Sequence, residues 1–353
     1  MQGLLPTRQP LEPLPYPVYF VRYDPELCTR LAHVTEMPAF EEFYNHQRGA
    51  SSSWIVQTYL QLKCRGLDVR LVPSYVPGGI CIVAREELRD SRLFIDLPFK
   101  SYLVVCQQDR PRPEVCEQRV VQNPLNILDD QDHFIPHWAQ PDIRPRNLSR
   151  GARVENLVFK GRWYYLPEPF KSSEFIARLN SLGFNLRTYA DHEVDCNDWG
   201  DYTEADVVLA IRNSPQAYLS LKPASKLVNA WFAGCPALLG AEPAFQMLRQ
   251  SELDYIEIAT PDNVVNALKQ LRDQPNRYQA MVENGWQRTD EFAPDKISQL
   301  WRDLLAGAIA EGYERWLDQP FIWKSVGRPL QFVVRSIKHL HTSRRFYAEM
   351  TWD

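Results

Sequence analysis

The chain has 353 residues, 44% hydrophobic and 24% charged; this length exceeds what one core usually serves, and the composition is too apolar for long disordered tracts, so two globular domains are expected. A net charge of −4 supplies no global field that would gather nucleic acid, so any anionic ligand must be held by a local basic site. Seven singly scattered cysteines without a CxxC pair argue against a disulfide framework or a zinc site and point to a reducing cytoplasm.

The opening "MQGLLPTRQPLEPLPYPVYFVRY" is broken by proline and does not read as a signal peptide, and no segment approaches the ~20 apolar residues of a membrane-spanning helix. "YPVYFVRY" and "LDVRLVP" are rich in β-branched and aromatic residues and read as strands. Between them "SSSWIVQTYLQLKCRG" spaces Trp54, Ile55, Tyr59 and Leu62 as a helix that Gly66 ends. Further strands are expected at "GGICIVA", "SYLVVCQQ" and "QRVVQNP", each running into a polar or proline-containing loop. The Pro- and Arg-rich stretch from 136 to 153, "PHWAQPDIRPRNLSRGAR", is the best linker.

A second alternating series follows. "VENLVFKG" predicts a strand, "SSEFIARLNSLG" a serine-capped helix closed by glycine, "FNLRTYA" and "EADVVLAIRN" two strands. "CPALLG", "AFQMLRQ" and "DYIEIA" continue as strand, helix and strand, and helices fill 262 to 312. The fold expected is α/β, two parallel sheets in series, each wound the same way.

Between "EADVVLAIRN" and "CPALLG" lies "SLKPASKLVNAWFAGCPALLG", residues 220 to 240, which must cross the carboxyl-terminal edge of the second sheet, where open α/β sheets bind ligands. Ser225 suits a helix N-cap, Leu227, Val228, Trp231 and Phe232 form an apolar face, and Gly234 ends the helix. Amide groups at such a helix start carry partial positive charge, to which Lys222 and Lys226 add two full ones. That describes a phosphate or diphosphate cradle; a solvated loop whose lysines merely precede a helix is the alternative reading.

"KPASKLVNAWFAGCPALLG" resembles the donor-site segment of GT-B glycosyltransferases, whose loop, helix and Gly-x-Pro strand hold the diphosphate of a nucleotide sugar. "YNHQRGASSSWIVQTYLQLKCRGLDVRLVP" and "LVFKGRW" are similar to the first loop, helix and second strand of that family's N-terminal domain and to the first strand of its C-terminal domain. The resemblance implies two Rossmann-like domains facing across a cleft, with C-terminal helices crossing back. The domains expected are an acceptor-side domain over 1–145, a nucleotide-sugar domain over 146–310, and a helical tail over 311–353 that packs on the N-terminal domain or on a membrane. It implies transfer of a sugar from a nucleotide-diphosphate donor to a glycan, lipid or small-molecule acceptor, with no separate cofactor and no metal. Arg162, Arg212, Lys222, Ser225 and Lys226 are the expected diphosphate ligands, Arg212 being able to replace Arg162, which could equally be a surface residue beside Trp163. Many retaining members carry two glutamates eight positions apart; the matching residues are Leu221 and Asn229. Asn229 can address a ribose hydroxyl, Leu221 cannot address a sugar, and the stereochemical outcome stays open. Glu242, just after "CPALLG", is a candidate substitute.

An inverting transfer also needs a base for the acceptor's proton. Asp109 in "VVCQQDRPRP" is preferred, with His46, His133 and His137 as further candidates. The tail from Gln319 through Ala348 contains six Lys or Arg and no acid. Leu330, Val333, Ile337 and Leu340 share one helical face and Arg335, Lys338 and Arg345 another, which suits packing on the N-terminal domain or peripheral contact of 324–345 with anionic lipid. A scaffold protein with decayed chemistry, or an epimerase or phosphorylase of the same fold, are the competing functions; a dehydrogenase ranks last because no GxGxxG follows a strand.

Overall fold

A computed structural model of the chain describes residues 10–44, 49–188 and 199–350. The chain divides into two compact units, one formed by residues up to His137 together with those from Pro294 onward, the other by Trp138–Ala293.

The first unit is built on six strands: β1 (Val18–Val21), β2 (Val69–Val72), β3 (Ile80–Ala84), β4 (Tyr102–Cys106), β5 (Gln118–Val121) and β6 (Asp132–Phe134). They pair in parallel in the order β2-β1-β3-β4-β5-β6. β6, formed by Asp132, His133 and Phe134, was not expected; its three residues carry too little apolar pattern to be read as a strand. After β1 the chain runs through three consecutive helical segments, Gly49–Ser51, a π-type turn Ser52–Gln57, and Thr58–Lys63, and stops at Gly66 with φ +89°. Every residue from Ser51 to Leu62 is buried. A helix buried all round needs a second layer over its outer side, which the helix Pro294–Leu304 supplies: Trp301 packs edge-on against both Trp54 and Phe20, and Arg65 bonds Asp295 at 2.5 Å.

The second unit has five parallel strands, β7 (Asn156–Phe159), β8 (Asn185–Thr188), β9 (Val207–Ala210), β10 (Ala237–Leu239) and β11 (Ile256–Glu257), in the order β11-β10-β9-β7-β8. Both sheets therefore wind alike, with the second strand on one side of the first and the remainder on the other. Ser172 caps the helix Ser173–Ser181, its hydroxyl accepting from Phe175 N at 3.2 Å, and Thr260 caps Pro261–Asp273.

Unit boundaries differ from the expected 145 and 310. The stretch 138–153 is no linker: Ala139 and Ile143 pack on the second unit's core, Arg144 N donates to Gly200 O, and Arg146 N donates to Ala233 O. Two of its four arginines, Arg146 and Arg150, converge on one carboxylate, Asp206, which is fully buried and also accepts the amides of Glu155 and Asn156. At the other end, residues 294–310 leave the second unit because their apolar face is what covers Gly49–Lys63.

Candidate functional site

All five strands of the second sheet end on one rim. Because β8 and β9 flank β7 on opposite sides, the strand order reverses there, and in parallel sheets such a switch point opens a crevice at the strands' carboxyl ends. Lys160 follows β7 directly, Arg212 follows β9 by two residues, and Glu242 follows β10 by three. The helix Ser225–Ala233, which connects β9 to β10, starts at the same rim.

Lys160 is 2% exposed, its ammonium 5.2 Å from the Tyr202 ring centre. Lys222 is buried; it donates to the Tyr218 hydroxyl at 2.6 Å and lies 3.9 Å over that ring. Lys226 is half-buried by its surface and stands 4.3 Å over Trp199. Arg212 is paired with Glu242, whose Oε2 accepts from its Nη1. Glu242 is itself 2% exposed, and its Oε1 has no hydrogen-bond partner among the described residues.

Four cations thus gather on one rim, where Glu242 is the carboxylate paired with Arg212. The electrostatics follow: loss of solvation, then repulsion by Arg212, Lys160 and Lys222, holds the Lys226 ammonium well below the ordinary lysine range, against the pull of Glu242. Burial also pushes the Glu242 carboxyl up, against the pull of Arg212, Lys222 and Lys226. Like charges confined in this way leave a site that an added di- or trianion would relax.

The helix start adds directed dipoles. The expected N-cap is corrected by one residue: Ala224 is the cap, with φ −77° and ψ 21°, and Ser225 is the first helical residue. The amides of Leu227 and Val228 already turn back to the Ala224 carbonyl, which fixes the start before Ser225. An alanine cap offers no side-chain oxygen, so no capping hydroxyl or carboxylate competes with a ligand for the first-turn amides. At the other end Gly234 has φ +70°, and a Cβ there would meet Trp286 at 3.1 Å. Cys235 and Pro236 then lead into β10, the Pro236 carbonyl accepting from Val208 N.

Other expected residues are placed differently. Arg162 is exposed, its Nη1 3.3 Å from the Tyr164 hydroxyl; the buried cation at the end of β7 is Lys160, two residues earlier, which the sequence reading passed over. Asn229 is buried and its Oδ1 accepts the Gln140 amide at 3.0 Å, so its carbonyl end is engaged. Leu221 is buried. In the first unit, Asp109 lies half-buried beyond β4, and its Oδ1 accepts from Gln122 Nε2. The preceding Gln108 has φ +60°, and its buried Nε2 lacks a partner among the described residues. His46 lies outside the described residues. His133 contacts Gln118 Oε1 at 2.8 Å, and burial lowers its pKa against the pull of Asp132, Asp130 and Asp129. His137 packs on Trp54.

The first sheet has its own switch point, between β1 and β3, and there the unit carries a cleft of about 400 Å³ lined by Tyr23, Glu86, Glu87, Arg89 and Arg110. Arg22, just after β1, pairs with Glu87 in the interior. Ser51 N donates to Glu86 at 2.6 Å. Sequence reading missed this group, although "VRY" and "AREEL", charged immediately after buried strands, are the signal that marks it. Among the described residues no cluster of His, Cys, Asp or Glu could hold a metal ion, and no helix is long and apolar enough to cross a membrane.

No family model and no curated relative matches the sequence. Solved structures do. Sucrose-phosphate synthase from Thermosynechococcus elongatus is 13% identical, with a TM-score of 0.52 over 83% of this chain and 100% of that one. HepE of Anabaena, solved with UDP and glucose, is 10% identical, with a TM-score of 0.50 over 82% and 99%. A chain of the GtfA/B complex is 13% identical with a TM-score of 0.44 over 66% of this chain, which spans only 57% of that one's length. The fold is accordingly the GT-B fold of two parallel-sheet α/β units that the sequence resemblance implied.

Proposed function

We propose that the protein is a glycosyltransferase, hexosyltransferase-like, that moves a sugar from a nucleotide-diphosphate donor to a glycan, lipid or small-molecule acceptor. The observation that carries this reading is the convergence of Lys160, Arg212, Lys222 and Lys226 on the rim where the helix Ser225–Ala233 starts, with Lys226 held below its ordinary range by burial and then by its cationic neighbours. In such a transfer the bond from the anomeric carbon to the diphosphate oxygen breaks and one to the acceptor oxygen forms. The leaving diphosphate gains negative charge as it departs, so preorganised cations and amide dipoles at that point lower the barrier without reorganising. Ser225 stands at the first turn, where its amide and hydroxyl can reach a phosphate oxygen, and Arg162 is an outer ligand at most. Asn229 retains its amide nitrogen for a ribose hydroxyl. Glu242, whose Oε1 has no donor among the described residues, is assigned to a sugar hydroxyl.

The acceptor's proton requires a base, and Asp109 on the rim of the first sheet is the assigned group, ahead of His46. The strained Gln108 beside it marks that loop, since left-handed non-glycine residues persist where a site over-determines them. No separate cofactor and no metal enter this reading, and nucleic acid is not a partner. The six cysteines among the described residues are free, five of them buried, which supports a reducing, cytoplasmic setting. A second reading, a nucleotide-binding scaffold without turnover, is favoured by one feature: buried Leu221 stands where retaining relatives place an acid.

A panel of nucleotide sugars tests the choice. Release of nucleoside diphosphate from one member, abolished by Lys226→Met and by Lys160→Met, is expected. Binding of the diphosphate without release from any donor, with or without acceptors, would establish the scaffold instead.

A further inference from the structure

The helix Arg328–Glu349 buries one mixed face, and among the described residues its opposite, apolar face is exposed. Its inner face buries Phe332, Ser336, His339 and Ser343. Phe332 packs on Phe94 and Phe99, Ser343 accepts from Arg85 Nη2 at 2.9 Å, and His339 lies 3.0 Å from Asp90 while accepting the Glu114 amide. That face anchors the helix to the first unit. The opposite face, at the spacing of three and four residues that keeps side chains in one stripe, carries Val326, Leu330, Val333, Val334 and Ile337. Leu330 is 62% exposed, Val334 66% and Ile337 65%. Just before it, Phe321, Ile322 and Trp323 are also exposed. Continuing the same stripe toward the C-terminal end come His341, Arg344 and Arg345, all exposed, and Lys324 stands exposed at the other end.

A stripe of this kind is the reverse of a surface built for solvent, since a helix facing water places charge where this one places Leu, Val and Ile. The charge pattern says what covers it. From Gln319 through Ala348 there are six Lys or Arg and no acid. Arg335 and Lys338 pair with Glu117 and Glu114 of the first unit and so sit on the flank, while Arg344 and Arg345 lie in the stripe, Arg345 also touching Glu349. A second copy seated on this face would set cation against cation whichever way its helix ran, Arg344 and Arg345 meeting either their own copies or Lys324. An anionic lipid surface complements both features, taking the apolar residues into its headgroup–acyl boundary and the cations at its charge.

We infer that the outer face of residues 321–345 docks the protein on an anionic bilayer, with Leu330, Val334 and Ile337 as the inserted residues and Arg344 and Arg345 as the electrostatic contacts. The docking lies on the first unit and is independent of the chemistry assigned to the second.

Co-sedimentation of the full chain with vesicles of phosphatidylcholine alone, and of phosphatidylcholine with phosphatidylglycerol, tests it. Enrichment on the anionic vesicles only, weakened by salt, is expected. Arg344→Glu with Arg345→Glu should lower the partition on the order of tenfold or more, and Leu330→Glu with Ile337→Glu should abolish it. These side chains are exposed, so the melting temperature of each variant should stay that of the parent. In the parent protein, Trp323 emission should shift to the blue on anionic vesicles, and the shift should disappear in Trp323→Phe. Absence of enrichment, or enrichment that survives both double variants, would overturn the inference. So would a lipid-free dimer that Leu330→Glu dissociates, because the face would then be an interface between copies.

Discussion

Lys226 shows how position and charge combine at a single residue. Its ordinary value is 10.5, and in the folded protein burial and three neighbouring cations hold it well below that. The unfolded chain therefore binds more protons than the folded one between the lowered value and 10.5, so stability of the ligand-free protein rises with pH across that window. Lys226→Met should remove this rise, which urea denaturation at a series of pH values would show. A bound diphosphate reverses the balance by favouring the ammonium, so binding within the window should take up about one proton, read from calorimetry in buffers of different ionisation enthalpy. That "SLKPASKLVNAWFAGCP" brings Lys222 and Lys226 to the sheet edge was legible, because the segment joins two buried strands there; a ligand-holding role was not, because lysines of a solvated loop before a helix have the same pattern. Lys160 was not, because its burial depends on Tyr202, forty-odd residues away and joined to it only once the sheet has formed. Glu242 was visible by position alone; its pairing with Arg212 follows from β9 and β10 lying side by side.

At the level of elements, the second sheet is tied together by Asp206. Burial would raise its carboxyl, but hydrogen bonds from Arg150, from the amides of Asn156 and Glu155, and from Arg146 outweigh that and lower it. Such a depressed value contributes stability above the usual carboxylate range and loses it as pH falls through the folded value. Asp206→Ala leaves two arginines without their counter-ion and should cost about 3 kcal/mol or more by denaturant titration. Gly234→Ala forces a left-handed L-residue against Trp286 and should cost roughly 1–2 kcal/mol, with the helix Ser225–Ala233 misdirected. Here the sequence was an uneven guide. Strands with continuous apolar runs, such as β3, β4 and β9, were plain. The stretch 136–153 read as a linker because arginine and proline without apolar periodicity usually mean solvated chain, and nothing local reveals that Arg146 and Arg150 converge on one buried acid.

On the scale of the molecule, the first unit is assembled from both ends of the chain and the second from its middle. Residues 138–293 hold a complete sheet with its own core and should fold as a fragment with a cooperative thermal transition. Residues 1–137 should not, because Trp54 and the buried helix around it lose the cover of Trp301; mixing with 294–353 should restore the transition. The repeated α/β alternation made the two-sheet architecture legible, whereas the boundary at 293 was hidden: the helices before and after it have the same amphipathic period, and only packing distinguishes their partners. The claim on which the functional account depends is that the rim cations grip a diphosphate. Isothermal titration of UDP into the full chain, with Lys226→Met and Lys160→Met as comparisons, tests it most directly. Saturable binding that weakens at least tenfold in each variant, the loss of a charge-assisted contact worth about 1.5–3 kcal/mol, is the predicted result; UDP affinity unchanged by both substitutions would contradict it.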